Sequence, residues 1–158
     1  MSSRGTVRGR AVTRVTLTRR YHLPALHILA TPSLSQEENF KIFGPCSRLH
    51  GHDYQLEVTV SGGIDAQSGL LIGRDELDRL VSATLLEPYR GTNLSDHFTH
   101  TTGEALALEF YRLLRLELDH RIELDSVTLR ETAKNSFIVR EQARNLETEV
   151  PPSPSQWH

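Results

Sequence analysis

The sequence predicts an α+β fold: a four-stranded antiparallel sheet with two helices on one face, in the order β-β-α-α-β-β. Three observations predict it. The first third of the chain holds two stretches in which polar and apolar residues alternate, the middle holds two stretches with apolar residues at helical spacing, and the last third holds two short alternating stretches around Ala133-Lys134-Asn135.

The first strand starts within 11–21, where Val15-Thr16-Leu17-Thr18 alternates, and runs towards His27 with an expected interruption at Pro24. A long polar connection follows from Thr31 to Pro45, with Phe40 and Phe43 near its end. Its length suits a lid or wall with room for a helical turn. Gln55-Leu56-Glu57-Val58-Thr59-Val60 alternates strictly and forms the second strand, closed by Gly62-Gly63. A first amphipathic helix is expected over Asp75–Leu86, with Leu77, Leu80, Val81 and Leu85 inward and Pro88 as its stop. Thr101-Thr102-Gly103-Glu104 fits a capping box with Thr101 as cap, ahead of Leu106, Phe110, Leu113 and Leu114 on one stripe of a second helix. Ser126 to Arg130 and Phe137 to Val139 close the sheet. The single domain is placed at 11–142, with 1–10 and 143–158 as flexible tails.

Composition narrows the function classes. At 158 residues, with 37% hydrophobic and 24% charged residues, the chain suits one domain with its own core. A net charge of −2 supplies no global field for nucleic acid or an anionic membrane, so neither is expected as a partner. No apolar run follows Arg4, Arg8 and Arg10 and none approaches the roughly 20 residues of a membrane span, so no signal peptide or anchor is expected and the location is read as cytoplasmic. One cysteine cannot form an internal disulfide. Its thiol is inert packing, an intermolecular link or a reactive group.

The chemistry concentrates in Cys46-Ser47-Arg48-Leu49-His50-Gly51-His52-Asp53-Tyr54. Residues two apart on a strand share a face, so His50 and His52 aim at a common point with only Gly51 between them. Two convergent imidazoles are half of a zinc site. The best third ligand is His27, a histidine in an apolar setting just before the long connection. Three neutral histidines with an open fourth position make a catalytic rather than a structural zinc centre. His22, His120 and His158 are read as ordinary surface or core residues.

These motifs resemble the 6-pyruvoyltetrahydropterin synthase and 6-carboxytetrahydropterin synthase family. The run Leu34 to Cys46 looks like the loop of the pyruvoyl enzymes, whereas the short Cys-x-x-x-His-Gly-His spacing looks like the carboxy enzymes. Similarity extends from about Tyr21 to Arg140 and includes Gly69, Thr101-Thr102-Gly103-Glu104 and Arg130-Glu131-Thr132. The resemblance implies the tunnelling fold, with sheets joined into barrels in a homo-hexamer, a dimer of trimers, and active sites at subunit interfaces. It implies Zn2+ on His27, His50 and His52, Cys46 as proton abstractor, Glu131 as the anchor of a pterin ring, and Thr102 and Glu104 as further contacts to that ring. The implied substrate is 7,8-dihydroneopterin triphosphate or a related reduced pterin, and the implied reaction is a carbon-oxygen or carbon-carbon lyase step leading towards tetrahydrobiopterin or queuosine.

One departure stands out. Where the family has an Asp-His pair shortly before Asn-Leu, this chain has Arg90-Gly91 before Thr92 and Asn93-Leu94. Asp96 and His97, with His100 as a further candidate, are the possible substitutes, and Arg90 suits a phosphate or carboxylate of a changed substrate. A second functional class follows: a paralogue that binds zinc and a pterin without turnover, as a sensor or assembly partner.

Overall fold

A computed structural model describes residues 13–141 of the chain. The tails named above, 1–10 and 143–158, lie outside the described residues.

Strands β1 (Val15–His27), β2 (His50–Gly62), β3 (Glu123–Arg130) and β4 (Ser136–Arg140) form one antiparallel sheet in the order β1-β2-β3-β4. Between them lie helices α1 (Gln36–Phe43), α2 (Arg74–Val81), α3 (Glu87–Tyr89) and α4 (Gly103–Glu117). The expected sheet and the two amphipathic helices are therefore present. Leu23, Tyr54, Leu56, Val58, Val127 and Leu129 from the sheet pack against Leu77, Leu85, Leu106, Phe110 and Leu114, all fully buried. The opposite sheet face carries Thr18 against Thr59 (2.9 Å), Arg20 against Glu57 (2.8 Å) and exposed Ile138, with no element of the described chain across it.

Four local details depart from expectation or extend it, each for a physical reason. Pro24 does not interrupt β1. Its carbonyl points away from β2 and accepts from Gly91 N–H (2.7 Å), so the N–H that proline lacks belongs to the open edge and costs no ladder bond. Pro88 does not stop the helix. A π-helical turn over Ser82–Leu86, in which Glu87 N–H reaches Ser82 O, widens the spiral just where the proline ring would collide with the preceding turn, and helix resumes to Tyr89. The long connection contains α1, started by a capping box between Ser35 and Glu38. Its inward residue is Asn39, whose side chain bonds Thr31, Leu34 and Ser35 backbone groups, so apolar periodicity gave no sign of it. Finally, Thr102 rather than Thr101 caps α4, accepting from Ala105 N–H at 3.3 Å. Thr101 is 4% exposed and turned towards β1.

β3 has one more residue than β2 across from it. The register slips between Thr59 and Val60, leaving Asp125 unpaired in the ladder and letting Leu124 and Val127 both face the core. Among the described residues, no helix is long and apolar enough to cross a membrane.

Candidate metal centre

The register of β1 against β2 sets His27 directly across from His50, with Ala25 across from His52. All three rings fall on the helix-side face at one end of the sheet, and their centroids lie 4.4, 5.0 and 5.0 Å apart. One nitrogen from each converges, all within 4.8 Å of one another. His27 is fully buried, while His50 and His52 are half-buried.

Hydrogen bonding orients two of the rings. His27 Nδ1 lies 2.7 Å from the Thr101 carbonyl oxygen and His50 Nδ1 lies 2.7 Å from the Arg48 carbonyl oxygen. A carbonyl only accepts, so both Nδ1 atoms carry the proton and, in the neutral rings, both Nε2 atoms present lone pairs. Those two Nε2 atoms face each other at 2.8 Å. Two lone pairs at that distance repel unless a cation lies between them, and burial opposes placing the charge on an imidazolium. The donor set fits Zn2+: three converging imidazoles, two of them with the outer nitrogen fixed by a backbone carbonyl. Burial is the first cause holding His27 and His52 below the usual imidazole range, with the neighbouring histidines acting in the same direction. The Thr101 carbonyl and the Glu131 carboxylate oppose this at His27, and Glu131 opposes it at His52.

Glu131 follows β3 directly and faces the same side as Leu129. Its Oε1 is 3.9 Å from His27 Nε2 and 3.8 Å from His52 Nε2, with the side chain 13% exposed. Glu131 was legible in the sequence only through the resemblance, as a ring anchor, and not as a neighbour of the histidines. Tyr54, which closes the stretch from Cys46 and was given no role from the sequence, is fully buried with its hydroxyl 3.2 Å from His27 Nδ1. Its phenol is pushed upward, first by burial and then by the Glu131 charge. Tyr54 was visible as the residue two after His52 on the same strand face.

The other named residues divide. Cys46 sits in a 3-10 turn over Gly44–Ser47, exposed and free, with its carbonyl accepting from Leu29 N–H at 2.9 Å. It lies beside the chain that follows His27 without joining the converging nitrogens. Thr102 and the exposed Glu104 open α4, immediately after the residue that holds His27. Arg48 stacks its guanidinium over Phe40 at 5.7 Å along a cleft of about 720 Å3, and Lys41 pairs with Glu37 at 2.9 Å.

Asp96 and His97 are not brought to the three histidines within this chain. Asp96 lies 3.5 Å from the Asn93 amide in a 3-10 turn, while His97 packs its ring on Tyr89 and shares a separate cavity of about 500 Å3 with His100, Leu108 and Arg112. Arg90-Gly91 forms the centre of a tight turn. Arg90 at φ −57°, ψ 123° and Gly91 at φ 71°, with Thr92 N–H on Tyr89 O at 3.1 Å, describe a type II turn that glycine alone enters without strain. The turn lies on the open edge of β1, where Gly91 and Thr92 bond Pro24 and Leu26.

The chain matches the family described as 6-pyruvoyl tetrahydropterin synthase over residues 16–142. It belongs to that family. A 6-pyruvoyl tetrahydrobiopterin synthase of Drosophila melanogaster is 36% identical over 131 residues, 78% of each chain. A 6-carboxy-5,6,7,8-tetrahydropterin synthase of Bacillus subtilis is 28% identical over 137 residues, covering 82% of this chain and 88% of its own. The solved 6-pyruvoyl tetrahydropterin synthase of Caenorhabditis elegans superposes with a TM-score of 0.74 at 29% identity, over 82% of this chain and 97% of that one. Membership bears out the resemblance drawn from the Cys/His-Gly-His group, and the four-stranded antiparallel α+β architecture is that of the family's solved structures.

Proposed function

We propose that the protein is a zinc-dependent pterin synthase, a lyase acting on 7,8-dihydroneopterin triphosphate or a closely related reduced pterin. The observation that carries the reading is the pair of bare Nε2 atoms facing each other at 2.8 Å beside a carboxylate, in a chain of this family. Bound zinc would polarise the side-chain hydroxyls of the substrate and stabilise the negative charge that develops when a carbon proton leaves.

The chain's own residues supply the rest. His27, His50 and His52 hold the metal. Glu131 accepts two parallel N–H bonds from the amino-pyrimidinone edge of the ring, which fixes its orientation, and Thr102 and Glu104 border it from the start of α4. Cys46 takes the proton from the substrate side chain. Arg48, along the cleft beside Phe40, suits the triphosphate. The uncovered sheet face and the two edges at β1 and β4 support assembly into a homo-hexamer, in which neighbouring subunits complete each site.

One observation favours a second reading. The turn at Arg90-Gly91 stands where relatives are expected to carry a proton-transferring Asp-His pair, which fits a member that binds zinc and a pterin without turnover, or one with a shifted substrate. Mass spectrometry of products after incubating zinc-loaded protein with 7,8-dihydroneopterin triphosphate separates these. A 6-pyruvoyl or 6-carboxy tetrahydropterin supports the synthase. A bound but unchanged pterin supports the non-catalytic reading and overturns the first.

A further inference from the structure

β1 ends at His27, so the peptide of Ile28 has no ladder partner on β2. Its polar groups are taken up from elsewhere. Ile28 N–H donates to Ser95 Oγ at 2.9 Å, and Ile28 O accepts from Thr101 Oγ1 at 2.8 Å and from Ser95 Oγ at 3.3 Å. The two hydroxyl oxygens are themselves 3.4 Å apart. Thr101 then acts a second time, because its carbonyl takes the Nδ1 proton of His27 at 2.7 Å. One residue, 4% exposed, thus grips both the ring of His27 and the peptide that follows it, and its neighbour Thr102 caps α4.

We propose that Ser95 and Thr101 are positioning residues for the metal centre, a hydroxyl clamp that holds His27 with Nε2 aimed at the ion. The inference rests on the three histidines being a metal site, but not on the identity of any substrate. Without the two hydroxyls, the peptide of Ile28 has no partner between the bonds of Leu26 to Thr92 and of Leu29 to Cys46, and the Thr101 carbonyl that accepts from His27 Nδ1 is no longer tied to that peptide. Ligand preorganisation then falls, and the affinity for zinc falls with it. The fold itself rests on the core between sheet and helices, so metal affinity is expected to respond more than metal-free stability.

The test uses zinc alone. Dissociation constants are measured by competition with a chromophoric chelator for the parent and for Thr101→Val, Thr101→Ser and Ser95→Ala, alongside thermal unfolding of each metal-free protein. Val127→Ala, a core truncation far from the site, serves as the control for lost stability. Thr101→Val and Ser95→Ala are expected to bind zinc about 10-fold more weakly, within the range seen when partners of metal ligands are removed. Thr101→Ser, which keeps the hydroxyl, returns to near the parent value, and Val127→Ala lowers the unfolding temperature with zinc affinity unchanged. The Co2+ absorption of Thr101→Val should also shift as the ligand field changes. If Thr101→Val fails to fold, Ser95→Ala decides. Parent-like zinc affinity in the folded hydroxyl-deficient variants, or a loss matched by Val127→Ala, overturns the clamp while leaving the metal site standing. A parent that binds no zinc overturns both.

Discussion

The histidine centre and the turn at Arg90 both lean on β1, and they are built in opposite ways. At the end of the strand, ladder register sets His27 across from His50, and the outer nitrogen of each of these two has a backbone acceptor that leaves the inner one free. A few residues earlier, the open edge of the same strand is occupied by main chain: Gly91 N–H and Thr92 O bond Pro24 and Leu26, and the side chain of Arg90 donates to the His22 carbonyl at 3.5 Å. The first region spends its hydrogen bonds on aiming side chains. The second spends them on turning the backbone. On the proposed reading, a chain can keep the metal-binding half of such a site while the neighbouring half is a turn, since the two regions depend on different interactions.

The largest effect that would break this comparison lies in the first region. His50→Ala is expected to lose stoichiometric zinc, measured by metal analysis of the purified protein, whereas retained stoichiometric zinc would sink the assignment of the three histidines. Next comes Cys46→Ala, which should abolish turnover while leaving zinc content at the parent level. A fully active variant would remove the thiol from the chemistry. In the second region, Gly91→His restores the residue type expected from the family but forces a side chain into φ 71°, and thermal unfolding should show a loss of about 1–2 kcal/mol. An unchanged unfolding temperature would mean that the turn relaxes without cost.

The smallest expected effect is a pH dependence. His27 and His52 are held below their unfolded value, so at neutral pH both states carry them uncharged. As pH falls below about 6.5, the unfolded chain takes up protons that the folded chain resists, and stability of the metal-free protein declines until the folded values are passed. His27→Gln should flatten that decline in denaturant titrations at pH 7.5 and 5.5. An equal decline in parent and variant would assign the slope to other groups.

What the sequence revealed and what it hid follow from the same distinction. Side-chain period exposed the faces of β2 and α4, and with them His50, His52 and the core, because a strand of period 2 and a helix of period 3.6 leave their mark on residue type. Backbone hydrogen bonds leave no such mark. The outward carbonyl of Pro24, the π-turn that absorbs Pro88, and the choice between two adjacent threonines as cap were invisible for that reason. Of α1 only a helical turn was foreseen, because its inward position is filled by Asn39 with its amide bonded to the loop before it. Tyr54 and Glu131 lie between the two cases. Their faces could be read, but their nearness to His27 depends on how β2 and β3 align.

The most direct test of the account is X-ray absorption at the zinc edge of the zinc-loaded protein. The account predicts one zinc per chain with three imidazole nitrogens at about 2.0–2.1 Å and the remaining position filled by oxygen. A sulfur scatterer at about 2.3 Å would place Cys46 on the metal. That result, or fewer than three imidazoles, would contradict a centre built from His27, His50 and His52.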